Sequence, residues 1–255
     1  VAAGFLSGLF GIGGGSILVP VLYMAFGAAG VPDEVRMQVT LGSSFAVIAP
    51  TGLRSFLAQR ARGAVDMAAL KRLSPAVFLG VVAGVLIASA ASSEALRWVW
   101  VAAASVMAVK LGLGRDDWRL GVRLPPSFAI EIAAFGIGLL SALMSIGGGL
   151  FMVSFLMLFG FSVLSAVATS SGFGPLIALT GVAGYAWAGW GAAGLPLGSI
   201  GYVNVIAALV MLPTSLLCAP IGVRVAHGVS KRTLELAFAG FLALVALKFL
   251  WTLLG

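Results

Sequence analysis

Apolar positions in this chain do not alternate with polar ones; they run on in long stretches, with polar residues confined to short interruptions. A helix that is apolar all round is buried in a large core or crosses a membrane, and about 20 such residues cross a bilayer. The pattern predicts a glycine-rich segment over about 4–27, then helices near 37–58, 73–91 and 95–113. A second glycine-rich segment covers about 127–160, followed by helices near 166–188, 199–223 and 233–253. A membrane β-barrel is excluded, because its strands would alternate apolar and polar residues.

Composition removes the soluble alternative. The 255 residues are 61% hydrophobic and 9% charged, with a mean hydropathy of +1.14. A soluble domain carries about 25% charged residues, so this chain has too few to face water. The fold class is an all-α polytopic membrane protein, and its first partner is the lipid bilayer. The net charge of +7 comes from basic residues in the short loops, the usual topology signal of membrane proteins, so no nucleic-acid partner is implied. Cys218 stands alone and reads as a packing residue, and the lone His227 reads as solvated in a basic loop. Residue 1 is Val, consistent with a trimmed start, and the first segment has no basic n-region and too many glycines for a signal peptide.

Two stretches break the apolar runs in the same way. "SGLFGIGGG" from Ser7 to Gly15 aligns with "SALMSIGGG" from Ser141 to Gly149 at an offset of 134. "VTLGSSF" (Val39 to Phe45) lies opposite "AVATSSG" (Ala166 to Gly172). Gly84 and Gly222, Leu96 and Leu234, and Lys110 and Lys248 continue the series at an offset of 138. Matches in one order at nearly constant offset indicate a duplicated unit. The expected organisation is a first transmembrane repeat over 1–113, a charged cytoplasmic linker over 114–125 and a second repeat over 126–255.

Loop charge bears on how the repeats are oriented. If each glycine segment is one plain span, the halves are parallel with four crossings each, and loop cations split about evenly. If each segment enters and returns as a re-entrant hairpin, each half crosses three times and the halves are inverted. The inside then collects Arg60, Arg62, Lys71, Arg72, Arg115, Arg119, Arg123, Arg224, Lys231 and Arg232, against Arg36 and Arg97 outside. The inverted plan fits the positive-inside rule better and matches a common transporter architecture; the plain eight-span plan stays open.

Glycine in a helix interior costs roughly 1 kcal/mol relative to alanine, so three in succession need a reason. One reading is close helix packing, since Gly4 and Gly8, Gly11 and Gly15, and Gly80 and Gly84 have small-xxx-small spacing. The other is a deliberate break that frees backbone N–H groups inside the membrane, tolerated only where they are buried in protein or line a cavity. A helix restarting at Ser16 or Leu150 would aim its N–H groups and positive dipole end there, a site suited to an anion. Candidate binding residues are therefore Gly13, Gly14, Gly15 and Ser16, with Gly147, Gly148 and Gly149 in the second copy. Ser43 and Ser44, and Thr169, Ser170 and Ser171, offer hydroxyl donors, unless they bond back to their own helix. Arg54 either snorkels to the interface or supplies a counter-charge.

Other polar groups have two readings as well. Glu131 is interfacial or a protonatable coupling group, Lys110 and Lys248 sit at helix ends, and Asn204 links helices. Tyr185, Trp187, Trp190, Trp98 and Trp100 read as interfacial belt residues. No Walker A lysine follows the glycines, and the spans carry no His/Asp/Glu cluster, so neither an enzyme nor a cofactor or metal centre is expected.

Taken together, "GFLSGLFGIGGGSILVPVLYMAFG" with "VTLGSSF", and "GLLSALMSIGGGLFMVSFLMLFG" with "AVATSSG", resemble the TauE/SafE sulfite exporter family of membrane transporters over essentially the whole chain. The resemblance implies a multi-pass protein of the cytoplasmic (inner) membrane that moves sulfur-containing anions such as sulfite or organosulfonates. The chain departs from the pattern at Ser43, where threonine is usual, at Ser154 opposite Pro20, and at Ser145 opposite Gly11. The expected function is a secondary transporter for a small anionic substrate working by alternating access, with export favoured. A proton or sodium gradient is the coupling source if uptake occurs. An anion channel using the same constriction, or a permease for another small anion, is the alternative. The sequence carries no signal for oligomeric state.

Overall fold

A computed structural model of the chain describes residues 15–113, 121, 124–227 and 229–254. The readings of Gly13 and Gly14 lie outside the described residues, and those of Cys218 and His227 lie outside the described side chains.

Helix α1 is described over Gly15–Ala28. A turn through Gly30, with φ of 76°, leads to Pro32 and into α2 (Asp33–Ala61). Asp33 and Glu34 occupy the first turn of α2, where carboxylates suit the helix dipole. At 29 residues, α2 is about 43 Å long, more than the hydrocarbon thickness of a bilayer. Helix α3 (Met67–Ala90) is capped by Asp66, whose carboxylate accepts from the N–H groups of Ala68 and Ala69. Helix α4 (Ser93–Leu113) follows directly.

Beyond the linker, α5 (Phe128–Met144) starts at the Ser127 cap and stops at Ser145, which takes the left-handed conformation at φ of 49°. After this break comes α6 (Gly149–Leu158), starting on the third glycine of its triplet. Ten residues make α6 roughly 15 Å long, half a bilayer core. Helix α7 (Val163–Ala188) is capped by Ser162. A two-stranded antiparallel hairpin, β1 (Ser199–Ile200) and β2 (Val203–Asn204), then precedes α8 (Val205–His227) and α9 (Lys231–Leu254).

Two expectations need correction. The helix expected near 199–223 begins at Val205, because the preceding residues form the hairpin. Gly201 takes φ of 55° there and lies so close to the Ala186 carbonyl that no side chain would fit. Tyr185 and Trp100 are not belt residues: both are fully buried, Tyr185 donating to the Ala142 carbonyl and Trp100 packing edge-on against Phe249. Trp98, Trp187 and Trp190 are exposed as expected.

Helix directions follow from the residues that meet. Along α2 and α7, Gly42 faces Tyr185, Gly181 faces Phe45, Gly52 faces Gly174, and Gly172 faces Phe56. Rising numbers on one helix meet falling numbers on the other, so the pair is antiparallel. The same holds for α4 and α9, where Arg97 reaches Thr252, Trp100 meets Phe249, and Arg232 reaches the Leu111 and Gly112 carbonyls. Helices α3 and α5 are parallel, with Arg72 bonded to Glu131, Gly138 against Val77 and Gly84 against Ala142. Glycine lets backbones approach this closely.

Large apolar side chains such as Leu79, Val109, Leu209 and Leu244 cover the outside. Met67–Ala90, Ser93–Leu113, Val163–Ala188 and Arg232–Leu253 are each long and apolar enough to cross a membrane. The chain is an all-α polytopic membrane protein.

Candidate functional site

Gly15, the last glycine of the first triplet, meets the second glycine break inside the helix bundle. Gly15 lies against the backbone of Ser145 and Ile146, and a Cβ there would overlap the Ser145 carbonyl. Gly147 touches Ile48 near the midpoint of α2, and Gly148 touches Phe173 and Ile177 near the midpoint of α7. The Gly147 carbonyl also faces Gly174. The second break is therefore held against Gly15 of α1 and between the middles of the two antiparallel helices.

Local chemistry explains its shape. Ser145 sits in the left-handed region that favours glycine. Its Oγ donates to the Leu41 carbonyl at 3.0 Å, a bond across to α2 that glycine could not make. The N–H groups of Ser145 and Ile146 both go to the Ser141 carbonyl, closing α5. Gly148 is the left-handed cap residue of α6 and supplies no side-chain bond to its first turn. The first-turn N–H groups of a helix have no partner within it, so those of α6 face the break as donors.

Three hydroxyls at this place are buried and have no hydrogen-bond partner: Ser16, Ser44 and Ser141. Ser16 lies on α1 next to Gly15. Ser44 lies on α2 between Leu41, which bonds Ser145, and Ile48, which touches Gly147. Residues three and four apart share a helix face, so Ser44 faces the break. Ser141 is one turn before Ser145. Sequence reasoning missed Ser141 and Ser145; the signal available was their place in the second "SxxxSIGGG", aligned with Ser7 and Gly11.

The other hydroxyls divide. Ser43 Oγ accepts the Asn204 N–H at 2.9 Å, and Thr169 Oγ1 accepts the Asp66 N–H at 2.9 Å. Asp66 and Asn204 hold equivalent places: Asp66 caps α3, and the Asn204 amide oxygen accepts from Ala207 in the first turn of α8. Each hydroxyl thus anchors the helix start at the far end of its antiparallel partner. Asp66 was not singled out from sequence, although an Asp before an apolar run is a standard cap signal. Ser170 and Ser171 donate to Val167 and Ala168 of their own helix. Ser170 is buried one turn before Phe173, close to Gly148.

Arg54 is exposed and is not among the groups at the break. From Ile132 to Val223 the chain has no Asp, Glu, Lys or Arg, and none precedes Asp33. Glu131 pairs with Arg72 at 2.8 Å, each side chain about 30% exposed, and Arg72 also bonds the Pro125 carbonyl. Lys248 lies against the Met24 sulfur. Among the described residues no group of His, Cys, Asp and Glu is placed to hold a metal. A separate cavity of about 280 Å³, lined by Ala46, Val182, Val203, Val205 and Leu212 among other apolar residues, has no polar side chain.

A multi-pass bundle with an uncapped helix start and orphaned hydroxyls in its interior has the features of a membrane transport protein. The comparisons agree. The family model for the sulfite exporter TauE/SafE matches residues 1–249. A "Probable membrane transporter protein" of Haemophilus influenzae is 31% identical over 246 residues, covering 96% of this chain and 93% of that one. A protein of Methanocaldococcus jannaschii, also named a probable membrane transporter, is 24% identical over 253 residues, covering 96% and 90%. No solved structure gives a significant match. The chain belongs to the TauE/SafE family and is a membrane transporter.

Proposed function

We propose that the protein is a secondary transporter moving a small sulfur-containing anion, sulfite or an organosulfonate, across the cytoplasmic membrane. The observation that carries this reading is the break itself. Backbone donors of α6, Gly15 of α1, and the partnerless hydroxyls of Ser16 and Ser44 surround one buried place. Donors without acceptors are costly to bury, and an oxyanion supplies the acceptors.

The substrate binds between the two glycine elements, against Gly13 to Ser16 and Gly147 to Gly149, with Ser44 and Ser170 alongside. Ser43, Thr169 and Ser171 support the surrounding helices, and Arg54 takes no part in holding the anion. The halves 1–113 and 126–255 are inverted repeats joined by the linker 114–125. The antiparallel pairings of α2 with α7 and of α4 with α9 support this, because equivalent helices of parallel repeats point the same way. Rocking one half against the other exposes the site to each face in turn. An inside-negative potential of 100 mV favours export of a monovalent anion by about 2.3 kcal/mol, so export needs no coupled ion. Uptake needs a proton or sodium gradient.

Purified protein in liposomes, tested with sulfite, taurine, sulfate and chloride with and without proton or sodium gradients, checks this reading. Saturable flux of a sulfur oxyanion, stimulated by counterflow, is expected. Movement of a cation with no sulfur anion carried refutes it, and single-channel currents would replace the transporter with a channel.

A further inference from the structure

We infer that the apolar cavity between α7 and α8 is a binding groove for one phospholipid acyl chain. Helices α7 and α8 each pack along α2, while their backbones hardly approach one another. The gap between them is the cavity of about 280 Å³. Ala46 of α2 forms its floor, Val182 and Ala186 of α7 line one wall, and Ala208 and Leu212 of α8 line the other. Alanine on all three helices leaves space that a larger apolar side chain would fill. One end is closed by Ile200 and Val203 of the hairpin. That end is fixed, because the Asn204 N–H bonds Ser43 and the Tyr202 carbonyl lies against Gly42, both on α2.

The lining decides the occupant. Every side chain that lines the cavity is apolar. A water molecule held inside a protein needs two to four polar partners, which these side chains do not offer. Dry apolar cavities take up hydrocarbon instead; one of about 150 Å³ holds a benzene molecule, and this one is nearly twice that size. The groove follows α8 from Val205 to Leu212, about 10 Å at the helical rise. Over that length a helix with its side chains fills roughly 900 Å³, about three times the space available. A single acyl chain fits where a helix of a second copy does not.

Position in the bundle points the same way. Ile200 and Leu209, on the rim, are more than half exposed, so the groove opens on the outside of the bundle among other exposed apolar residues such as Ile206 and Val210. In a membrane protein that surface meets lipid tails. Ala186 is followed by Trp187 and then Trp190, both exposed, and exposed tryptophans mark the membrane–water boundary. The hairpin end therefore lies near headgroup level, and the groove descends from it by about 10 Å, inside the roughly 15 Å of hydrocarbon in one leaflet. A chain seated there wedges α8 against α7 and α2 and stabilises the folded protein by mass action.

The test uses the full chain in phosphatidylcholine vesicles containing a phosphatidylcholine with a photoreactive diazirine midway along one acyl chain. After illumination, labelled residues are mapped by mass spectrometry. Leu244 on α9, 65% exposed, reports passing lipid. Val182 and Leu212 are only partly exposed, so passing lipid labels them less than Leu244 and a seated chain labels them more. The expected result is several-fold more label at Val182 and Leu212 than at Leu244. Ala208→Phe fills the groove from the α8 wall and removes that excess with Leu244 unchanged. Ala186→Leu fills it from the α7 wall and does the same, so a folding defect in one variant leaves the other to decide. In detergent, added phosphatidylcholine raises the melting temperature of the native protein more than that of either filled variant. Labelling of Val182 and Leu212 no higher than that of Leu244, or an excess that survives both variants, overturns the inference. Two chains joined through Leu209→Cys in a Cys218→Ala background, with Val182 unlabelled, give the groove to a second copy and overturn it equally. None of these readouts depends on which anion is carried.

Discussion

Removing the Ser43 hydroxyl probes the long-range anchor that holds α8 in place. In the native protein Ser43 Oγ accepts the Asn204 N–H at 2.9 Å, with Ser43 at 0% and Asn204 at 4% exposure. Ser43→Ala deletes the acceptor without adding bulk, leaving the Asn204 N–H buried and unpaired. An orphaned buried donor costs about 1–3 kcal/mol. For a protein of this size each kcal/mol shifts the melting temperature by about 2–4 °C, so a fall of roughly 2–12 °C is expected in detergent. Thr169→Ala removes the matching contact to the Asp66 N–H, which is only partly buried. Water can replace that acceptor, and the loss is expected to be smaller. Thermal unfolding followed by tryptophan fluorescence reads both. Equal melting temperatures for Ser43→Ala and wild type, or a larger loss for Thr169→Ala, would show that these anchors do not carry the load assigned to them.

Further predictions address the break, the ion pair and the topology. Gly15→Ala drives a methyl group into the Ser145 carbonyl and is expected to cost about 1–3 kcal/mol with loss of flux. Gly136→Ala, where nothing lies within 4 Å, is the control and leaves the melting temperature unchanged. Glu131→Gln removes a partly exposed ion pair with Arg72; pairs open to solvent add little to stability, so stability and uncoupled flux persist. Loss of proton-dependent flux in that variant would make Glu131 a coupling group. A cysteine placed at Arg62 and one placed at Ser230 label from the same, cytoplasmic, face; labelling from opposite faces contradicts the inverted arrangement.

The helices were legible because all-round apolarity is a strong signal that few soluble structures imitate. The break at Gly147 and Gly148 was legible because three glycines in a membrane helix oppose local propensity. The inverted orientation is proposed from loop cations; α2 and α7 run antiparallel. What escaped was what depends on distant residues meeting. Nothing local to Ser43 or Thr169 says that each accepts an N–H from a residue more than a hundred positions away. Ser145 was noticed only as a departure from glycine, although it keeps the left-handed conformation and adds a bond to Leu41. Trp100 and Tyr185 were placed at the interface by residue type, but their burial follows from partners on α9 and α5. The hairpin before α8 was hidden because its few residues continue an apolar run, and only Gly198 and Gly201, both with positive φ, mark the turn.

The claim at the centre is that substrate sits between the glycine breaks and is reached from each side of the membrane in turn. Ser44→Cys in a Cys218→Ala background puts a single reporter thiol on the α2 face that touches the break. Its rate of labelling by a small thiol reagent is measured from each face, with and without sulfite or methanesulfonate. The account predicts labelling from both faces and slowing by the carried anion. A thiol labelled from neither face, or labelled at a rate the anion does not change, contradicts it.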